Sequence, residues 1–139
     1  MLLASFYAGM AFTRAYVGYV HAIAHNLGGM YGIPHGLANS VILPVVLEEY
    51  GSTIYPRLAK LAEIVGINGQ TEEELAKGFI AEIKAMNERM AIPTSFEQIK
   101  EEDIPTIVER AMKEAHPLYP TPVIFDADRL AQIVRKLKG

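Results

Sequence analysis

The sequence predicts an all-α protein, a single bundle of about six helices. Three observations carry that expectation. Apolar residues recur at helical spacing in segment after segment, glycine and proline fall between those segments, and no stretch alternates apolar and polar residues as a half-buried strand would. The chain has 139 residues, half of them hydrophobic and 21% charged, enough for one domain with a core and too few for two.

The first helix is expected over residues 3 to 27, which contain no proline and are apolar nearly all round, as in a central, fully packed helix. Its start, MLLASFYAGMAF, lacks the basic lead-in of a signal peptide. Arg14 interrupts it short of the roughly 18 to 20 apolar residues of a membrane span, so a buried helix is expected and no membrane partner. A chain that opens inside such a helix, with no cap or polar lead-in, reads as a domain cut from something longer. Gly28, Gly29 and Gly32 are expected to break this helix. Pro34 then precedes a second helix, from His35 or Gly36 through LANSVILPVVLEEY, kinked at Pro44 and ended by Gly51.

Leu58, Leu61, Ala62 and Val65 form the stripe of a third helix, with Pro56 in its first turn and Gly66 as its stop. Thr71 and Glu74 make a capping box before a fourth, whose inner face is read as Leu75, Phe79, Ile83, Met86 and Met90. Ile104, Ile107, Val108, Ala111 and Met112 mark a fifth. Leu130, Ile133, Val134 and Leu137 mark a sixth, N-capped by Asp126. Between these two, HPLYPTPVIF (residues 116 to 125) is expected to cross as extended chain. The acidic runs Glu72 to Glu74 and Glu101 to Asp103 read as helix starts, where carboxylates suit the dipole.

Composition removes several functions. A net charge of −3 gives no electrostatic reason for a nucleic-acid partner. With no cysteine there is no disulfide framework and no thiolate metal site; this fits a cytoplasmic protein and leaves nitrogen and oxygen as metal donors. GGMYG follows a helix rather than a strand and lacks the G-x-G-x-x-G order, so it is no dinucleotide fingerprint. No Walker A sequence or G-x-S-x-G elbow occurs.

One segment stands apart. HAIAHNLGGMYGIPHG, residues 21 to 36, holds three of the four histidines. His21 and His25 lie four residues apart on one helix face, about 6 Å along the axis. His35 follows a glycine loop that can turn the chain back. Three neutral imidazoles can hold zinc or iron and leave a position open for water or substrate. Against this stands the structural alternative, in which each is a hydrogen-bonded core histidine. His116, directly before Pro117, is expected to be a linker residue without a role.

The run AGMAFTRAYVGYVHAIAHNLGGMYGIPHGLANSVILPVVL, residues 8 to 47, resembles the C-terminal domain of iron-containing (group III) alcohol dehydrogenases. The G-x-x-H-x-x-x-H-x-x-G-x-x-x-x-x-P-H-G pattern from Gly18 to Gly36 is highly specific to them. The later helices and the HPLYPTPVIF link are similar to the ends of such enzymes, so the resemblance covers nearly the whole chain. It implies a helical domain that holds a divalent metal, Fe²⁺ or sometimes Zn²⁺. Beside it the family places a Rossmann-like domain for NAD or NADP, and a small alcohol or aldehyde binds in the cleft between the two. By position in the motif, His21 and His35 match metal ligands. His25 matches the histidine beside nicotinamide and substrate, a proton-relay or orienting group. Spacing alone would have joined His25 to His21 on the metal; the full motif is the more specific guide.

The family completes its site with an aspartate and a histidine one helical turn apart, upstream of this motif, and no Asp-x-x-x-His occurs in this chain. The resemblance therefore implies one incomplete helical metal-binding domain over residues 1 to 139, without the dinucleotide domain. It makes the chain part of an NAD(P)-linked alcohol dehydrogenase, inactive by itself and self-associating through apolar surface. The rival is a non-catalytic helical module, a truncated or decayed gene product that folds and associates. A stand-alone three-histidine metalloprotein requires that His25 also ligate.

Overall fold

The computed structural model describes all 139 residues. It is helical throughout: α1 (Leu2–Ala15), α2 (Tyr19–Tyr31), α3 (His35–Tyr50), α4 (Tyr55–Ile64), α5 (Glu72–Arg89), α6 (Ile104–Ala115) and α7 (Ala127–Lys136). Short 3-10 turns at Gly51–Ile54 and Glu101–Asp103 lead into α4 and α6. The only pairing of β type is an isolated bridge between Phe96 and Lys138. The all-α bundle is thus present, with the expected first helix divided in two.

Helix α2 is the axis of the molecule, packed between α3 on one side and α6 on the other. Helix α7 closes against α6 and α3, while α4 and α5 form an antiparallel pair laid on α3 through α5. One apolar core runs through this arrangement. Its largest fully buried side chains include Tyr19, Ile23 and Leu27 from α2, Ile42 and Val46 from α3, Ile107 from α6, and Leu130 and Ile133 from α7.

Several helix ends follow the caps legible in the sequence. Thr71 Oγ1 accepts from the Glu74 amide at 3.1 Å, and the Glu74 carboxylate reaches back to the Gln70 amide at 2.8 Å. Asp126 accepts from the Arg129 amide at 2.8 Å. Gly66, at φ 78°, ends α4 with the paired bonds of a Schellman motif, Gly66 N–H to Glu63 O and Ile67 N–H to Ala62 O. Gly51, at φ 56°, ends α3, which runs through the buried Pro44 without interruption.

Other expectations are corrected. The segment 3 to 27 is not one helix. Tyr16 turns into the left-handed region at φ 59° and Gly18 is extended, so the chain changes direction before α2. Nor is its first part packed: α1 has no buried residue, and Leu2, Leu3, Phe6, Tyr7, Met10 and Phe12 are all more than half exposed. Gly28 and Gly29 lie inside α2, and only Gly32, at φ 68°, ends it, with its N–H on Gly28 O. The buried residues of α5 are Leu75, Ala76 and Ile80, with Phe79 half-buried against the core as expected, and Met86 and Met90 in solvent. In α4 the buried set is Leu58, Ala59 and Ala62, with Leu61 and Val65 out. The 116–125 link is not simply extended. It opens in a turn closed by Tyr119 N–H on Ala115 O, and returns Phe125 to the core.

Candidate active site

The site is built where α2 ends, turns and restarts as α3. Gly32 supplies the left-handed residue that ends α2. Ile33 anchors the turn in the core, and Pro34 N-caps α3 so that His35 opens the new helix. This reversal carries His35 back over the face of α2 that bears His21 and His25. The three rings form a triangle, with centres 5.8 Å apart for His21 and His25, 5.2 Å for His21 and His35, and 5.3 Å for His25 and His35. The His25 and His35 rings stack, with 17° between their planes.

The three environments differ. Burial, then the neighbouring His35 and His25, hold the His21 imidazole below its ordinary range, and Glu114 only partly offsets this. A neutral imidazole is the form a metal requires. The Asn39 side-chain amide donates to His35 Nε2 at 2.9 Å and so occupies that nitrogen's lone pair; Asn39 Oδ1 is buried without a partner. His25 is turned the other way, its Nδ1 2.7 Å from Glu114 Oε1 on α6. The same carboxylate oxygen accepts from the Tyr119 hydroxyl at 2.8 Å.

Two imidazoles on one tetrahedral ion, bound through contacts of about 2.1 Å, have ring centres roughly 5 Å apart. The separation of His21 and His35 fits that requirement. No set of three or more histidine, aspartate or glutamate side chains is arranged to hold a metal ion. His21, His25 and His35 are thus neighbours without forming a three-histidine metal set, and the Nδ1 of His25 is engaged by Glu114. The imidazole donors present suit a divalent ion of borderline character.

An open cleft of about 500 Å³ has His21 and Asn39 in its wall, the rest largely apolar, including Phe12, Leu43, Leu47 and Tyr50. His116 is not an idle linker residue. Its Nε2 lies 2.7 Å from the hydroxyl of the fully buried Tyr19, which also accepts from the Phe125 amide at 2.9 Å. Glu114, Tyr119 and Asn39 were not singled out from the sequence. Glu114 stands 89 residues from His25 and carries no local motif; Asn39, four residues after His35, was within reach of the same helical spacing that linked His21 to His25. No helix is long and apolar enough to cross a membrane.

Comparison with known proteins adds independent evidence. Residues 1–138 match the Fe-containing alcohol dehydrogenase family, C-terminal. The chain is 41% identical to a 1,3-propanediol dehydrogenase of Klebsiella pneumoniae, over 84% of this chain and 31% of that protein. It is 39% identical to an NADPH-dependent butanol dehydrogenase of Clostridium saccharobutylicum, over 78% of this chain and 29% of that protein. Among solved structures it superposes on a 1,3-propanediol oxidoreductase with a TM-score of 0.86 at 36% identity, covering 94% of this chain and 35% of the other. The chain thus spans about a third of the length of these relatives. The chain belongs to the Fe-containing alcohol dehydrogenase family and corresponds to its C-terminal, helical part.

Proposed function

We propose that this chain supplies the metal-binding helical part of a cytoplasmic, NAD(P)-linked alcohol dehydrogenase that interconverts small alcohols and aldehydes by hydride transfer. The observation that carries the proposal is the convergence of His21, His25 and His35 at the three histidine positions of the family motif. His21 and His35 hold the metal, Fe²⁺ or Zn²⁺. When bound, such an ion polarises the substrate oxygen as a Lewis acid, and NAD or NADP exchanges the hydride. His25 is the catalytic proton group. Its ring stacks on His35, so with a metal held there His25 would be placed to take the substrate hydroxyl proton in the oxidative direction. The apolar cleft next to His21 suits the carbon chain of a short alcohol.

Neither a glycine-rich strand-to-helix turn nor an Asp-x-x-x-His pair is present in these 139 residues. The purified chain is therefore expected not to reduce NAD or NADP with alcohol. It still binds metal weakly through His21 and His35. Anaerobic calorimetry with Fe²⁺ and Zn²⁺, beside His35→Ala, tests this, and the variant should bind at least about tenfold more weakly. Metal binding that His35→Ala leaves unchanged would overturn the assignment.

A further inference from the structure

We infer that Glu114 is the positioning residue of His25: it takes the Nδ1–H of the imidazole, leaves Nε2 as the working nitrogen, and is itself held by Tyr119. The inference rests on the reading of His25 as the proton group. It names what gives that histidine its direction.

The geometry is specific. A carboxylate can only accept, so the 2.7 Å contact between His25 Nδ1 and Glu114 Oε1 places the ring proton on Nδ1. Glu114 comes from α6, across the bundle from α2, and therefore fixes the ring from outside its own helix. An exposed ion pair is ordinarily worth little and chooses no orientation. This one differs in two respects. Its accepting oxygen also receives the Tyr119 hydroxyl at 2.8 Å, which fixes the carboxylate as well as the imidazole. In addition, the other face of the His25 system is closed by His35, stacked at 5.3 Å and 17°. Burial and Glu114 push the Tyr119 hydroxyl up to about 12, so it stays a donor across the working range. The imidazole is thus held in one tautomer by a group that takes no part in its outward side.

Nitrogen NMR of the imidazole rings in the 139-residue chain reads the tautomer directly, at a pH well above the imidazole range. His25 should hold its proton on Nδ1 by roughly tenfold or more, whereas free imidazole side chains favour Nε2. Glu114→Ala should return His25 to that free preference, and Tyr119→Phe should weaken the bias about two- to threefold while leaving its direction. A wild-type His25 mainly protonated on Nε2, or the same ratio in wild type and Glu114→Ala, would overturn the inference. The wild-type spectrum decides the point even if the variant does not fold. The metal titration separates the two layers. Binding indifferent to His35→Ala with an Nδ1–H His25 overturns the functional reading and leaves the pairing. Binding lost in His35→Ala with an Nε2–H His25 overturns the pairing alone.

Discussion

Tyr19 shows how one side chain can set the ground on which the histidines stand. It precedes His21 by two positions, is fully buried, and stacks on Phe125 at 4.8 Å between ring centres. Its hydroxyl accepts the Phe125 N–H and is hydrogen-bonded to His116 Nε2. The first turn of α2 is thereby tied to the end of α6 and to the 116–125 link. Tyr19→Phe keeps the ring and its packing but strands a buried amide and an imidazole. It should cost about 1–3 kcal/mol, read as a lower urea midpoint with an unchanged slope; an unchanged midpoint would show that water replaces the hydroxyl without loss. At this scale sequence reasoning succeeded where partners lie close along the chain. His21, His25 and His35 fall within fifteen residues, and their convergence was readable from one helix period and one glycine turn. His116 and Glu114 were not readable as partners, because Tyr19 and His25 reach them across 97 and 89 residues.

Helix ends were legible and helix faces less so. Thr71, Asp126, Gly51 and Gly66 act through local backbone groups, and each behaves as its residue type dictates. The break after α1 depends on Tyr16, a residue with no intrinsic preference for the left-handed region, and so left no sign in the composition. In α4 and α5 the expected Leu58, Ala62 and Leu75 are buried, but Ala59 and Ala76 widen the contact beside them and part of each expected stripe turns outward. Ala59, Ala62 and Ala76 allow close approach between helices, while the larger Leu61, Val65 and Met86 point to water. Between α3 and α7 the link is electrostatic. The Glu49 side chain is only 8% exposed and pairs with Arg129 and Lys136. Burial alone would raise its carboxyl, but the hydrogen bond and charge of Lys136, with Arg129, bring it below the ordinary 4.5. A depressed carboxylate contributes stability that is present above its unfolded value and lost as pH falls through its folded value. Glu49→Gln should therefore cost about 1–3 kcal/mol near neutral pH, and progressively less below pH 4.5. Urea unfolding of both proteins at neutral and acid pH checks the sign. A penalty that stays constant into acid would assign the effect to shape rather than charge.

The molecule as a whole has a packed body, α2 to α7, and one helix outside it. Helix α1 contributes no residue to the core, so the stability of the body does not depend on its side chains. Yet Leu2, Leu3, Phe6, Tyr7, Met10 and Phe12 are each more than half exposed on fourteen residues of helix. Each Å² of apolar surface left in water forgoes about 25 cal/mol of burial, and large exposed apolar surface favours association. The 139-residue chain should accordingly self-associate as concentration rises, with α1 as the contact. Replacing Phe6 and Met10 by glutamate puts two carboxylates into that contact. Sedimentation velocity across a wide concentration range should then show a single small species where the parent chain grows. Because no α1 side chain is buried, the urea midpoint of the dissociated variant should match that of the parent measured at high dilution. If the parent is monomeric throughout, the apolar face of α1 is not an association surface between copies. If instead the double variant unfolds early, α1 supports the body through contacts beyond those of its side chains with the core, and the division into body and outlying helix fails.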